Sequence, residues 1–301
     1  MQSARERFIA FRRSLPRAPV LARATVRVRG LDLAVFLTPA VSDATPLVCV
    51  NGGLLFDHKL LWPALSPLAS HRQLILYDQR GRGASQAPPG TRAARIEHDA
   101  DDLRALREAL GIRMWDVLGH SWGGGIALLG AERDRAGVRR LVLVDAVGPR
   151  SDWLASLHAD ALERLAPADR AVLGQLSPEA LKLDDAAVHS AYSRAIYPAW
   201  FADRDLASMF APPRSTSATG AAVASRLRRD GYDWTALIRG VSVKTLVIHG
   251  VHDLLPVRVA HELVALCAGS RLAILPSGHM PFWEAPSEFF EAVDTFLNAA
   301  P

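Results

Sequence analysis

Gly119-His120-Ser121-Trp122-Gly123 sets one hydroxyl between two glycines, directly after the apolar run Trp115–Leu118 and before a stretch of helical spacing. Strands and helices both disfavour glycine in their interiors, so a glycine pair at this junction points to a special turn. The G-x-S-x-G pattern between a strand and a helix predicts a nucleophile elbow, a turn too tight for side chains two residues either side of the serine. Ser121 is then expected on a strained backbone with its hydroxyl projecting. The helix start behind it offers unpaired N–H groups to a developing oxyanion. Gly124 and Gly125 let that helix approach the sheet. The competing pattern, a phosphate loop, requires a lysine that this segment lacks.

A serine hydroxyl is a weak nucleophile until a base takes its proton. With ten histidines in the chain, position must select one. His279 stands out because "ILPSGHMPFWE" puts it in a loop after the last predicted strand. His120 flanks the serine, and its side chain is expected to point away in a structural role. The base in turn needs an acid to orient its ring. Asp253 follows the strand "KTLVIHG", one strand before His279, and the order Ser121, Asp253, His279 fits this arrangement. Asp145, ending "LVLVDA", is the competing acid; its other reading is a strand-end residue that ties down the segment after it. The oxyanion donors are expected to be the backbone N–H of Trp122 and one from the loop "VNGGLLF", with Gly53 ahead of Leu54.

The elements that must position these residues alternate. A hairpin is predicted over 24–38 around Gly30, strands over 46–50, 73–78, 115–119, 140–146, 244–250 and 271–276, and helices over 57–70, 95–111, 122–134, 256–268 and 286–299. The strands are continuous apolar runs, which predicts an α/β fold with a mostly parallel central sheet and helices on both faces. Alternation breaks between 149 and 240, where helical spacing is cut by Pro167, Pro178, Pro198 and the Pro212-Pro213 pair. This segment is read as a helical cap inserted after the sixth strand, above the carboxyl ends where open α/β sheets bind ligands. The domain reading is a basic N-terminal segment 1–23, a core of 24–148 and 241–301, and a cap of 149–240.

The cap holds Trp153, Tyr192, Tyr197, Trp200, Phe201, Phe210, Tyr232 and Trp234. Such a lid would close a mostly apolar pocket, although at least half of these rings must pack the cap's own core. Leu54, Trp153, Tyr197 and Trp200 are the candidates for touching substrate. Asp203 and Asp205 are read as a solvated helix start, with amine binding as the alternative.

At 301 residues, 50% hydrophobic and 22% charged, the composition is that of a globular protein. The net charge of +4 is almost all arginine and spread along the chain, a solvated surface with no nucleic-acid motif. No apolar run approaches a membrane span, and the basic start lacks the apolar core of a secretory signal. Phe8, Ile9, Phe11 and Leu15 alternate with arginines there, favouring a short helix packed on the domain over one lying on a membrane. Two cysteines, Cys49 and Cys267, make no disulfide framework, and a reducing, cytoplasmic setting is expected.

From about residue 24 to 299 the chain resembles the α/β-hydrolase fold superfamily. Within it, "LILYDQRGRGAS", "DDLRALREALGI" with "WDVLGHSWGG", and "SGHMPFWEAP" resemble the proline iminopeptidase branch. Asp78 and Arg80 in the first of these are read as scaffold. Two departures matter. Members of that branch have a His-Gly-Gly-Pro-type loop where this chain has Asn51-Gly52-Gly53-Leu54. Its aminopeptidases also carry a Trp-x-x-Trp-Glu acid in the cap, and the closest stretch here, "YPAWFADRDLAS", has Trp200 without that glutamate. The resemblance therefore implies a serine hydrolase acting on a small ester, lactone or amide, with an aminopeptidase as the alternative and a non-catalytic binder on the same fold as a third reading. No metal or organic cofactor is expected, and the partner expected is a small-molecule substrate, with monomer and homodimer both open.

Overall fold

A computed structural model describes residues 3–211 and 214–299; the Pro212-Pro213 pair lies outside the described residues. Its strands are β1 (Ala22–Val28), β2 (Leu31–Leu37), β3 (Leu47–Val50), β4 (Leu74–Tyr77), β5 (Trp115–His120), β6 (Val138–Val144), β7 (Lys244–Gly250) and β8 (Arg271–Leu275). They form one sheet in the order β1-β2-β4-β3-β5-β6-β7-β8. β2 runs antiparallel to both β1 and β4, and every pairing from β4 through β8 is parallel. The hairpin closes on Arg29-Gly30, both with positive φ, as a two-residue connection requires.

Side chains alternate across each central strand into two separate cores. Val48, Val50, Ile75, Val117, Leu141 and Leu143 enter one, beneath the helices α2 (Ile96–Ala109) and α3 (Trp122–Arg133). Leu47, Cys49, Leu74, Leu76, Leu118, Val142 and Val144 enter the other. The helix Pro286–Asn298 covers that second face with Phe289, Phe290, Val293, Phe296 and Leu297. Burial on both faces is why these strands read as unbroken apolar runs.

The expected helix over 57–70 is absent as such. The segment forms two short 3₁₀ stretches, His58–Leu60 and Ser66–Ser70. Pro63 separates them and Pro67 opens the second, and a proline has no N–H to carry a helix onward. The N-terminal helix, Ala4–Ser14, is capped by Ser3 and Glu6. It packs Phe8 against Phe210 at 5.4 Å and stacks Phe11 on Phe290 at 5.5 Å. Among the described residues no helix is long and apolar enough to cross a membrane.

Between β6 and β7 the described chain is helical and irregular, including the helices Leu157–Arg164, Ala186–Ile196 and Ala218–Asp230. Its two ends are joined by a bridge between Arg150 and Asp233. The Ser151 N–H also donates to the Tyr232 carbonyl at 3.1 Å, and the Trp234 N–H to that of Pro149 at 2.8 Å.

Candidate active site

Ser121 has φ +57° and ψ −124°, between the last residue of β5 and the first of α3. A positive φ is costly for a residue with a Cβ and persists only where its surroundings over-determine it. The glycines supply that constraint. A Cβ on Gly119 would meet the Gly123 carbonyl oxygen at 2.4 Å, and one on Gly123 would meet that of Val50 at 2.1 Å. One on Gly124 would strike Ala146 at 2.4 Å. The loop after β3 passes just as close: a Cβ on Gly52 would lie 2.6 Å from the Ser121 Cβ. Sequence reasoning gave Gly52 no role, although its place in the glycine pair after a buried strand was a signal.

Gly53 (φ +79°) and Leu54 (φ +55°) follow with left-handed backbones. The Leu55 N–H donates to the Gly53 carbonyl at 2.6 Å, pinching the chain around Leu54. Asn51 Nδ2 donates to the carbonyls of Gly52 and Phe56 at 3.3 and 3.1 Å. Arg82, fully buried and bidentate to Asp99, donates from Nε to the Leu54 carbonyl at 2.8 Å. Arg82 was not singled out in the sequence, yet it fixes this loop. Arg80 pairs with Asp102, and Asp78 accepts from the His58 and Ala84 N–H groups. Neither Asp78 nor Arg80 lines the cavity beside Ser121.

That cavity is lined by Ser121, His279, Gly53, Leu54, Trp122, Trp153, Tyr197 and Trp200, among others. His279 Nδ1 lies 2.9 Å from Asp253 Oδ2. Its backbone N–H donates to the Trp200 carbonyl at 2.8 Å, and the two rings lie 4.3 Å apart. His120 does not point away from the site. Its Nε2 donates to the His279 carbonyl at 2.9 Å and its ring packs 4.8 Å from that of His279. Alternation puts His120 on the Leu118 face of β5, and the His279 loop crosses that face. Burial, reinforced by neighbouring His279, pulls the His120 pKa down to about 3, so the ring is neutral.

Asp145 and Asp253 occupy different positions. Burial opposes the Asp253 anion, but His279 beside it holds the carboxyl below the usual carboxylate range. Arg164 clasps the loop by donating to the Asp253 carbonyl. Asp145 instead accepts from the Gly250 N–H at 2.8 Å and lies 3.6 Å from His249 Nδ1. Burial, then the Asp253 charge, raise its pKa well above the ordinary value, which favours the neutral carboxyl. Asp145, His249 and Asp253 are also spaced within 4.8 Å for a metal ion among the described residues. His279 already engages Asp253 Oδ2.

Glu284, almost fully buried, went unnoticed in the sequence. Its carboxyl accepts from the N–H groups of Ala202 (2.8 Å), Asp203 (3.2 Å) and Gly278 (2.7 Å), stapling the His279 loop to the segment after Trp200. Burial pushes its pKa up to about 7 against those three donors. Asp203 caps a short helix by accepting from the Leu206 N–H, and neither it nor Asp205 reaches the cavity.

A family model described as alpha/beta hydrolase fold matches residues 45–286. The chain is 27% identical over 270 residues to a proline iminopeptidase of Lactobacillus crispatus (strain ST1), covering 85% of this chain and 91% of that protein. It is 30% identical over 247 residues to a 2-hydroxymuconate semialdehyde hydrolase of Pseudomonas sp. (strain CF600), covering 79% and 81%. Among solved structures, an enol-lactonase from Burkholderia xenovorans LB400 superposes with a TM-score of 0.70 at 23% identity, covering 92% of this chain and all of that one.

Proposed function

Because the chain belongs to the α/β-hydrolase fold family, we propose that it is a serine hydrolase cleaving a small ester, lactone or amide through an acyl-enzyme on Ser121. His279 Nε2 takes the hydroxyl proton as Oγ attacks the carbonyl carbon, then returns it to the leaving group. Asp253 holds the ring through Nδ1 and stabilises the imidazolium that forms. The backbone N–H groups of Trp122 and Gly53 receive the oxyanion, where fixed donors in a water-poor site are worth most. Water activated by His279 clears the acyl group. The segment 149–240 acts as the cap over the carboxyl ends of the strands, and Leu54, Trp153, Tyr197 and Trp200 contact the substrate. Neither a metal nor an organic cofactor enters any step.

The observation that carries this reading is the shared cavity of strained Ser121 and His279, with Asp253 2.9 Å behind the imidazole. Its test is turnover of ester, lactone and Pro-amide panels by the wild type and Ser121→Ala. Ester or lactone hydrolysis that disappears in the variant supports it; turnover that survives Ser121→Ala overturns it.

The aminopeptidase reading draws on the iminopeptidase relatives. Against it, no Asp or Glu among the described residues lines the cavity to receive a substrate amine. Cleavage of a Pro-amide with a free amine, but not of its blocked form, would favour it.

A further inference from the structure

Among the described residues, Arg228 on the helix Ala218–Asp230 is the one arginine or lysine that lines the cavity beside Ser121. Its neighbours Arg226 and Arg229 pair with acids in the usual way. Arg228 is half-buried, and no carboxylate among the described residues forms an ion pair with it. Its hydrogen bond is a long one, 3.4 Å from Nη1 to the Ala224 carbonyl of its own helix. The other polar groups around it are neutral. His189, whose pKa burial and then Arg228 lower to about 4, donates to the Leu183 carbonyl. The Tyr192 hydroxyl is bound to His158 and that of Tyr232 accepts from Trp153.

A guanidinium stays charged under all ordinary conditions, and a buried charge without a counter-ion is destabilising. Arg228, half-buried on the cavity wall and without a carboxylate partner among the described residues, is open to an anion arriving from outside. The planar fork of donors matches a carboxylate through two parallel hydrogen bonds. Leu157, Leu181, Tyr192 and Arg228 line both this cavity and a second, outer pocket, so Arg228 stands where the two meet. We propose that Arg228 anchors a carboxylate carried by the substrate at the end remote from the scissile carbonyl, making the preferred substrates half-esters, lactones or amides of acid-bearing chains. This rests on the serine-hydrolase reading of the same cavity.

The experiment compares kcat/KM for the mono-p-nitrophenyl esters of adipic and pimelic acid with p-nitrophenyl hexanoate and heptanoate. Uncatalysed rates are subtracted, and active sites are counted by fluorophosphonate labelling. The wild type is expected to favour the acid-bearing esters by about tenfold or more, chiefly through KM, the scale of a charge-assisted hydrogen-bonded pair. Arg228→Met is expected to lose that preference, and Arg228→Lys to keep part of it. Should Arg228→Met fail to fold, the wild-type ratio and Arg228→Lys still decide. Equal or better use of the neutral esters by the wild type overturns the proposal, as does an undiminished preference in Arg228→Met. Absence of both labelling and turnover in the wild type would instead overturn the serine-hydrolase reading, and this inference with it.

Discussion

Trp200 holds His279 in two ways at once: its carbonyl accepts the histidine's backbone N–H at 2.8 Å, and its indole lies 4.3 Å from the imidazole, inclined by 33°. Trp200 comes from the segment between β6 and β7, whereas His279 follows β8, so the proposed base is seated partly by the proposed cap. Asp253 secures the far side of the ring and His120 the carbonyl. Three elements distant in sequence thus fix one imidazole, and rotation of that ring is what the proposed chemistry must avoid.

Removing the indole should therefore slow the chemical step more than it weakens binding. Trp200→Ala is expected to lower kcat by roughly tenfold, the upper scale of an aromatic pair, while Trp200→Phe retains most of the rate. Steady-state kinetics on an activated ester separates kcat from KM. A change confined to KM would mean that Trp200 only lines the pocket.

The two acids give a sharper contrast. Asp253→Asn should cost on the order of 10³–10⁴ in kcat, because an amide in that position favours the wrong imidazole tautomer. Burial favours the neutral form of Asp145, so Asp145→Asn keeps a neutral side chain of the same shape and should cost less than about tenfold. Comparable losses in both variants would contradict the assignment of Asp253 as the orienting acid.

Glu284 should leave a mark on stability against pH. Its ordinary pKa of 4.5 is raised to about 7 by burial, so the folded state binds the proton more tightly than the unfolded chain. The sign follows: this contribution is fully present below pH 4.5 and is lost as pH rises through 7, on the order of 3 kcal/mol across the window. Urea unfolding of the wild type and Glu284→Gln at several values from pH 4.5 to 8 checks it. The difference between the two should change through that window, since Asp145 acts in the same sense in both proteins and cancels. A constant difference would show that Glu284 does not titrate there.

Much of this was legible in the chain because it depends on neighbours in sequence. β3 through β7 are apolar runs buried on both faces, and the elbow is set by Gly119, Ser121 and Gly123 within five residues. Asp253 and His279 could be read because each sits in a loop directly after a strand. Groups whose roles lie across the fold were not legible. Arg82 reaches Leu54, 28 residues away, and Glu284 reaches Ala202, 82 residues away. Arg228 sits in "RLRRD" as though on a solvated face, and only packing turns it toward the cavity. The expected helix at 57–70 failed locally, on the two prolines it contains.

The central claim is an activated serine at the elbow, and intact-mass spectrometry after treatment with a fluorophosphonate tests it most directly. A single adduct on the wild type and none on Ser121→Ala is the predicted result. An unmodified wild type that is fully folded, or an adduct that persists in Ser121→Ala, would contradict it.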